Sequence, residues 1–178
     1  MNFENYTLRL INNADAVLYF DFIEANRKRV VHYFPNTNSR TSSLEDTQAL
    51  LIEREELLLA KEFYNFALFD NNLNAIVASI FLKSIDWKIG KCEMGYFIDQ
   101  RYEGKGLVSK MIKLLAPYSF EVLELNKIYL RIEPSNESSR RVAERNGFTL
   151  EGKLRSDFKT SDGKLIDCLY YGLLKDEI

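Results

Sequence analysis

The chain is poor in the residues that build metal sites, covalent staples and hinges. Among its 178 residues are two cysteines, Cys92 and Cys168, and one histidine, His32. These three cannot form a Cys/His zinc site unaided. Two sparse cysteines give no disulfide framework, so free thiols in a reducing cytoplasm are the expectation. Three prolines and eight glycines leave no flexible linker, and a single domain over residues 1–178 is expected. Long apolar runs are lacking; Leu57-Leu58-Leu59-Ala60 is typical, whereas a membrane-spanning helix needs about 20 apolar residues. The opening Met1-Asn2-Phe3-Glu4-Asn5 has neither the basic nor the apolar stretch of a secretory leader. Charge of one sign is lacking too. Lys and Arg number 24 against 26 Asp and Glu, a net charge of −2, so the basic footprint of a nucleic-acid-binding domain is missing.

What is present is apolar and aromatic. Hydrophobic residues make up 46% and aromatics 13%, too much for a disordered chain and enough for one substantial core. Tyr6 to Ile11 opens as a strand. Asn12 and Asn13 can cap a helix over Ala14 to Asn26, with the apolar stripe Val17, Phe20 and Ile23. His32 to Thr41 reads as a loop. Ser42-Ser43-Leu44-Glu45 reads as a capping box ahead of a long helix to about Glu62. Phe63 to Phe69, Ala75 to Leu82 and Lys91 to Ile98 are β-rich and parted by turn residues, an antiparallel meander.

Leu107 to Leu125 reads helical, with Leu107, Met111, Leu114, Leu115, Tyr118 and Val122 on one face. Pro117 inside it must kink the helix or remove a backbone bond. Lys127 to Glu133 is a strand, and Asn136 to Asn146 a helix ended by Asn146-Gly147. Phe148 to Arg155 and Asp167 to Leu174 are strands joined through Ser161-Asp162-Gly163. The order is β α α β β β α β α β β. Its strand–helix–strand crossover requires at least one parallel pair. The expected fold class is mixed α/β: a mostly antiparallel sheet with helices on both faces.

The informative segment is Tyr96 to Leu107, where a strand enters a short loop with Gly104 and Gly106 and a helix starts at once. Helix N-termini present unpaired N–H groups and partial positive charge, and glycine lets a phosphate approach them. Arg101 to Gly106 therefore reads as a diphosphate cradle; the alternative is a glycine-shaped turn with no ligand. A P-loop needs G-x-x-x-x-G-K-S/T, which does not occur. A dinucleotide fingerprint would need Gly at 109, where Ser109 stands.

Arg101-x-x-Gly104-x-Gly106 resembles the acyl-CoA signature of the GNAT N-acetyltransferases, Q/R-x-x-G-x-G/A. Asn136-Glu137-Ser138-Ser139 through Gly147-Phe148 resembles the family's N-x-x-S…G-F segment. Leu150 to Arg155 and Cys92-Glu93-Met94-Gly95-Tyr96 are similar to segments of its RimJ/RimL-like branch, the ribosomal-protein alanine and serine acetyltransferases. The resemblance is strong over about residues 91 to 155; residues 1 to 90 agree mainly in element order.

The resemblance implies acetyl-CoA bound in a gap where two central parallel strands splay, here those ending near Ile98 and Glu133. Backbone groups of Phe97 and Ile98 would pair with the pantetheine arm. The N–H groups of Arg101, Tyr102, Glu103, Gly104, Lys105, Gly106 and Leu107 would hold the pyrophosphate. Asn136 would bond the pantetheine amides. Glu93 would be the base for the amine; its alternative is a solvated carboxylate on a half-exposed strand. On a regular strand Glu93 and Ile98 face opposite sides. Many family members carry a tyrosine for the CoA thiolate where this chain has Ala143, and the branch's serine falls on Ser139. Asn136 and Ser139 share a helix face, although Ser139 can equally be a capping or surface hydroxyl. Tyr33 and Phe34 would border the acceptor pocket, or simply pack on the core, as would His32. No metal is implied.

The implied activity is acetyl transfer from acetyl-CoA to a primary amine, with a protein N-terminus as the expected acceptor. A polyamine or aminoglycoside acceptor is the main rival. A non-catalytic acyl-CoA sensor, favoured by Ala143, and a CoA-free interaction domain are the others. Homodimers are common in the branch. No nucleic-acid or membrane partner is implied.

Overall fold

Strand β3, Tyr64–Asp70, is buried at every residue. A strand reads this way when both faces of its sheet are covered. Phe66 and Leu68 face one core cluster, whereas Ala67 and Phe69 face another. The alternation is that of an extended strand. The fold is that of a computed structural model describing residues 1–178.

The chain opens with β1 (Asn2–Phe3) and β2 (Tyr6–Leu10), then helices α1 (Ala16–Tyr33), α2 (Pro35–Ser39) and α3 (Leu44–Leu59). Strands β3, β4 (Ala75–Asp86) and β5 (Lys91–Ile98) form the expected antiparallel meander. Helix α4 (Leu107–Pro117) crosses to β6 (Lys127–Ile132), and α5 (Glu137–Arg145) precedes the hairpin β7 (Thr149–Lys159) and β8 (Leu165–Leu174). One eight-stranded sheet results, ordered β1-β2-β3-β4-β5-β6-β8-β7. The larger cluster packs α4, the turn after it and α5 on one face, through Met111, Ile112, Leu115, Phe120 and Ala143. The smaller packs α1 and α3 on the other, through Tyr19, Phe22, Ile23 and Leu51. No helix is long and apolar enough to cross a membrane.

Several local expectations change. The stretch from His32 to Thr41 is not a loop: α1 continues through His32 and Tyr33, and Pro35 starts α2 at a first-turn position that needs no N–H. The cap of α3 is Ser43, which accepts from the Asp46 amide at 3.0 Å. The Ser42–Glu45 box is therefore displaced by one residue. Helix α4 stops at Pro117, and Tyr118–Val122 forms a wider π-turn closed by Leu123 N to Tyr118 O at 3.1 Å. Proline donates no N–H, and the widened turn absorbs that loss. It also turns Val122 out to solvent, off the apolar face assigned to it.

Candidate active site

The parallel pairing of β5 with β6 covers only Lys91–Lys127, Cys92–Ile128 and Glu93–Tyr129. Beyond Glu93 the strands part, while each runs on to Ile98 and Ile132. An open cavity of about 1050 Å³ fills the gap. It is lined by β5, β6, the loop into α4, the first turns of α4 and α5, and the end of α1. Of the residues singled out from sequence, Glu93, Phe97, Ile98, Tyr102, Glu103, Gly104, Gly106, Leu107, Asn136, Ser139, Tyr33 and Phe34 all line it. Arg101 and Lys105 do not. Arg101 turns back on Asp99, with Nη2 to Oδ2 at 2.7 Å, and Lys105 Nζ lies 4.6 Å from the Tyr102 ring centre.

The loop into α4 is built as an anion cradle. Gly104 and Gly106 both have φ of +73°, and no atom lies within 4 Å of a Cβ added at either. The backbone conformation, rather than crowding, calls for glycine there. The first backbone bond of α4 is Lys110 N to Gly106 O at 3.1 Å. The amides from Gly104 to Ser109 donate to no protein acceptor. Those of Arg101, Tyr102 and Glu103 are already used, on Asp99 Oδ1, Asp99 O and Gln100 O. The cradle is thus shorter than expected and lies closer to the helix. Its entry is braced from α1: Asn26 Nδ2 donates to Asp99 Oδ2 at 3.3 Å, Asn26 Oδ1 accepts from Gln100 N, and Arg29 pairs with Glu103. The Arg101 guanidinium above all holds the Asp99 carboxyl down at about 2.

Across the gap, Asn136 caps α5 by accepting from the Ser139 amide at 3.1 Å. The Tyr96 hydroxyl donates to Ser139 O at 3.4 Å, and burial pushes its pKa up to about 12. Gly95 is demanded by contact, since a Cβ there would meet the Phe81 ring at 2.5 Å. The Ile98 carbonyl accepts from Arg29 at 3.2 Å.

At the end of the cavity away from α4, the polar groups are paired with care. Glu93 is buried, and its two oxygens meet Lys83 Nζ at 3.2 Å and Arg131 Nη2 at 2.9 Å. Arg131 also reaches Asp157 at 3.2 Å. Glu93 is thus not the solvated alternative, yet its charge is already answered. Its side chain nevertheless lines the same cavity as Ile98. Glu133, at the end of β6, meets His32 Nε2 at 3.2 Å. Burial first, and the Glu133 charge second, push the Tyr33 hydroxyl pKa up. Phe34 sits edge-on to Phe81 with ring centres 5.8 Å apart. No motif in the sequence marks Lys83 or Arg131, Glu133 enters only as a strand end, and His32 is left between pocket wall and core packing. Glu133 stands three residues before Asn136, a place the motif marks but whose pairing it cannot give. No group of three or more His, Cys, Asp or Glu is placed to hold a metal ion.

A helix-end anion cradle that opens into a cleft between two splayed parallel strands defines a transferase that holds a long, phosphate-bearing donor in extended form. The Acetyltransferase (GNAT) domain family matches residues 5–149, and the chain belongs to that family. It is 31% identical to a Bacillus subtilis protein named ribosomal N-acetyltransferase YdaF, over 98% of this chain and 93% of that one. The spermidine N(1)-acetyltransferase of Escherichia coli is 37% identical over 38% of this chain and 37% of its own. The crystal structure of a ribosomal-protein-S5-alanine acetyltransferase from Vibrio fischeri superposes with a TM-score of 0.92, at 24% identity, over 99% of this chain and 97% of that one. The protein is an acetyl-CoA-dependent N-acetyltransferase.

Proposed function

We propose that the acceptor is the α-amine of a protein or peptide N-terminus. The observation that carries this is the charge balance of the cavity. Four carboxylates line it: Glu93, Glu103, Glu133 and Glu137. Three are already neutralised by Lys or Arg of the protein, through Lys83 and Arg131, Arg29, and Arg141 respectively. A polyamine carries several ammonium groups and would find one carboxylate, Glu133, without a Lys or Arg partner. A peptide N-terminus carries one ammonium, and its following amides can use the polar wall. The extent of similarity supports the same reading, because the ribosomal relative matches nearly the whole chain and the spermidine relative about a third.

In this reading the amides from Gly104 to Ser109 bind the pyrophosphate of acetyl-CoA, and the β5 edge past Glu93 takes the pantetheine arm. Asn136 bonds the arm's amides, and the Ser139 hydroxyl donates to the departing sulfur. Tyr33 and Phe34 wall the acceptor end. A panel of short peptides with free N-termini, their N-blocked lysine-containing counterparts and spermidine tests it. Acetylation confined to α-amines is expected; faster turnover of spermidine would overturn the assignment.

A further inference from the structure

We propose that Glu133 receives the proton from the acceptor ammonium and that His32 passes it to solvent. This rests on the reading of the cavity as the acetyl-transfer site. Glu93 was the carboxylate expected from sequence for this work, and the geometry favours Glu133 over it. Glu93 already faces two cations, Lys83 and Arg131, so an acceptor ammonium beside it would be a third positive charge at one carboxylate. Glu133 has no Lys or Arg within 4.0 Å; its titratable neighbours are the uncharged Tyr33 hydroxyl, which bonds to it, and His32. An incoming ammonium would be the first Lys- or Arg-like cation to reach it.

Exposure gives the route its direction. The Glu133 side chain is 20% exposed and the His32 ring 42%, so the proton moves from the deeper group to the shallower one. Imidazole suits such a relay, because it takes and yields a proton through its two nitrogens near neutral pH. The Tyr33 ring packs edge-on against the imidazole with centres 4.7 Å apart and fixes its plane. Tyr33 thereby acts as a positioning residue.

The acceptor arrives as R–NH3⁺. One proton passes to a Glu133 oxygen, which frees the nitrogen lone pair to form the new C–N bond at the thioester carbonyl. The C–S bond breaks, and its electron pair leaves with the CoA sulfur. The nitrogen loses a second proton as the amide forms. One of the two protons ends on the sulfur, supplied through the Ser139 hydroxyl. The other passes from Glu133 to His32 Nε2, and the ring releases a proton from Nδ1 to water. The products are R–NH–CO–CH3, CoA–SH and H⁺.

Other charged or titratable groups face this pair. Tyr33 faces it from α1, Cys168 from β8, and Lys164 and Asp167 share the shallow recess beside Glu133. Asp162 of the β7–β8 turn faces His32. All of them remain in the variants below.

The test is peptide acetylation by Glu133→Gln and His32→Ala, with acetyl-CoA affinity measured in parallel. General acid–base groups contribute about 100- to 10,000-fold. Glu133→Gln is expected to lose at least about 100-fold in kcat/KM at pH 7 with acetyl-CoA affinity unchanged. At pH 9, above the α-amino pKa of about 8, the acceptor arrives neutral and the deficit should shrink about tenfold. His32→Ala should lose less and regain rate with added imidazole. If Glu133→Gln does not fold, the imidazole rescue decides: rescue supports the route, and its absence overturns it. A Glu133→Gln variant within about twofold of wild type overturns this inference alone. A wild-type protein that binds no acetyl-CoA overturns the acetyl-transfer reading as well.

Discussion

Arg131 holds two carboxylates at once, Glu93 at 2.9 Å and Asp157 at 3.2 Å. Replacing it with methionine keeps the aliphatic stem and removes the charge. Breaking a buried pair from one side costs about 3–5 kcal/mol, because the stranded charge stays in the interior. Two features lower that figure here. The Arg131 side chain is 25% exposed, and Lys83 remains 3.2 Å from Glu93. A loss of about 2 kcal/mol is expected. For a chain of this size that lowers Tm by about 5 °C. The assay is thermal unfolding of Arg131→Met, Glu93→Gln and the double variant. In the double variant the Glu93 charge is gone and only the more exposed Asp157 is left without Arg131, so it should be at least as stable as Arg131→Met, with a coupling of about 1 kcal/mol. An Arg131→Met protein that melts within about 1 °C of wild type, or strictly additive losses, would refute the claim that Glu93 is held by this arginine.

Three further outcomes follow from the geometry. Ser139→Ala should lower kcat about tenfold or more while leaving the affinity for acetyl-CoA intact, as steady-state kinetics and calorimetry would report. A fall in affinity with kcat unchanged would make Ser139 a binding residue instead. The Asp99 carboxyl lies at about 2 against its ordinary 3.8. A lowered carboxyl contributes stability that is complete above its unfolded pKa and lost as pH falls toward the folded one. Wild type should therefore lose more stability than Asp99→Asn between pH 5 and about 2, as parallel melts show. Gly95→Ala should raise KM for the peptide acceptor, since the added methyl must displace the Phe81 ring from the cavity wall.

Local features were legible in the sequence and long-range pairings were not. The bounds of β5 follow from its own residues and its turns, and the glycine spacing after it marks the cradle. The crossover from β5 through α4 to β6 follows from element order alone, and with it the parallel pair. The segment from His32 to Thr41 misled because proline and asparagine mark loops and helix starts alike; packing on α1 decides between them. The charge pattern of the acceptor end lay beyond reach for a simpler reason. Arg131 and Glu93 are 38 positions apart, and His32 and Glu133 are 101. Nothing local in either segment says which carboxylate will be neutralised and which left open. The pyrophosphate amides illustrate the same limit: the motif spans Arg101 to Leu107, yet Asp99 and Gln100 take up its first three donors.

The central claim is that the amides from Gly104 to Ser109 hold the donor's pyrophosphate. Calorimetric titration of wild type and Gly104→Glu with acetyl-CoA tests it most directly. A Cβ added at Gly104 meets no atom within 4 Å, so the backbone strain of a φ of +73°, about 1 kcal/mol, is the expected cost to folding. The added carboxylate would face the same free amides. Binding by wild type, with at least a 50-fold weaker affinity, about 2.3 kcal/mol, in the folded variant, is the expected result. Equal affinity in the two proteins would contradict the cradle.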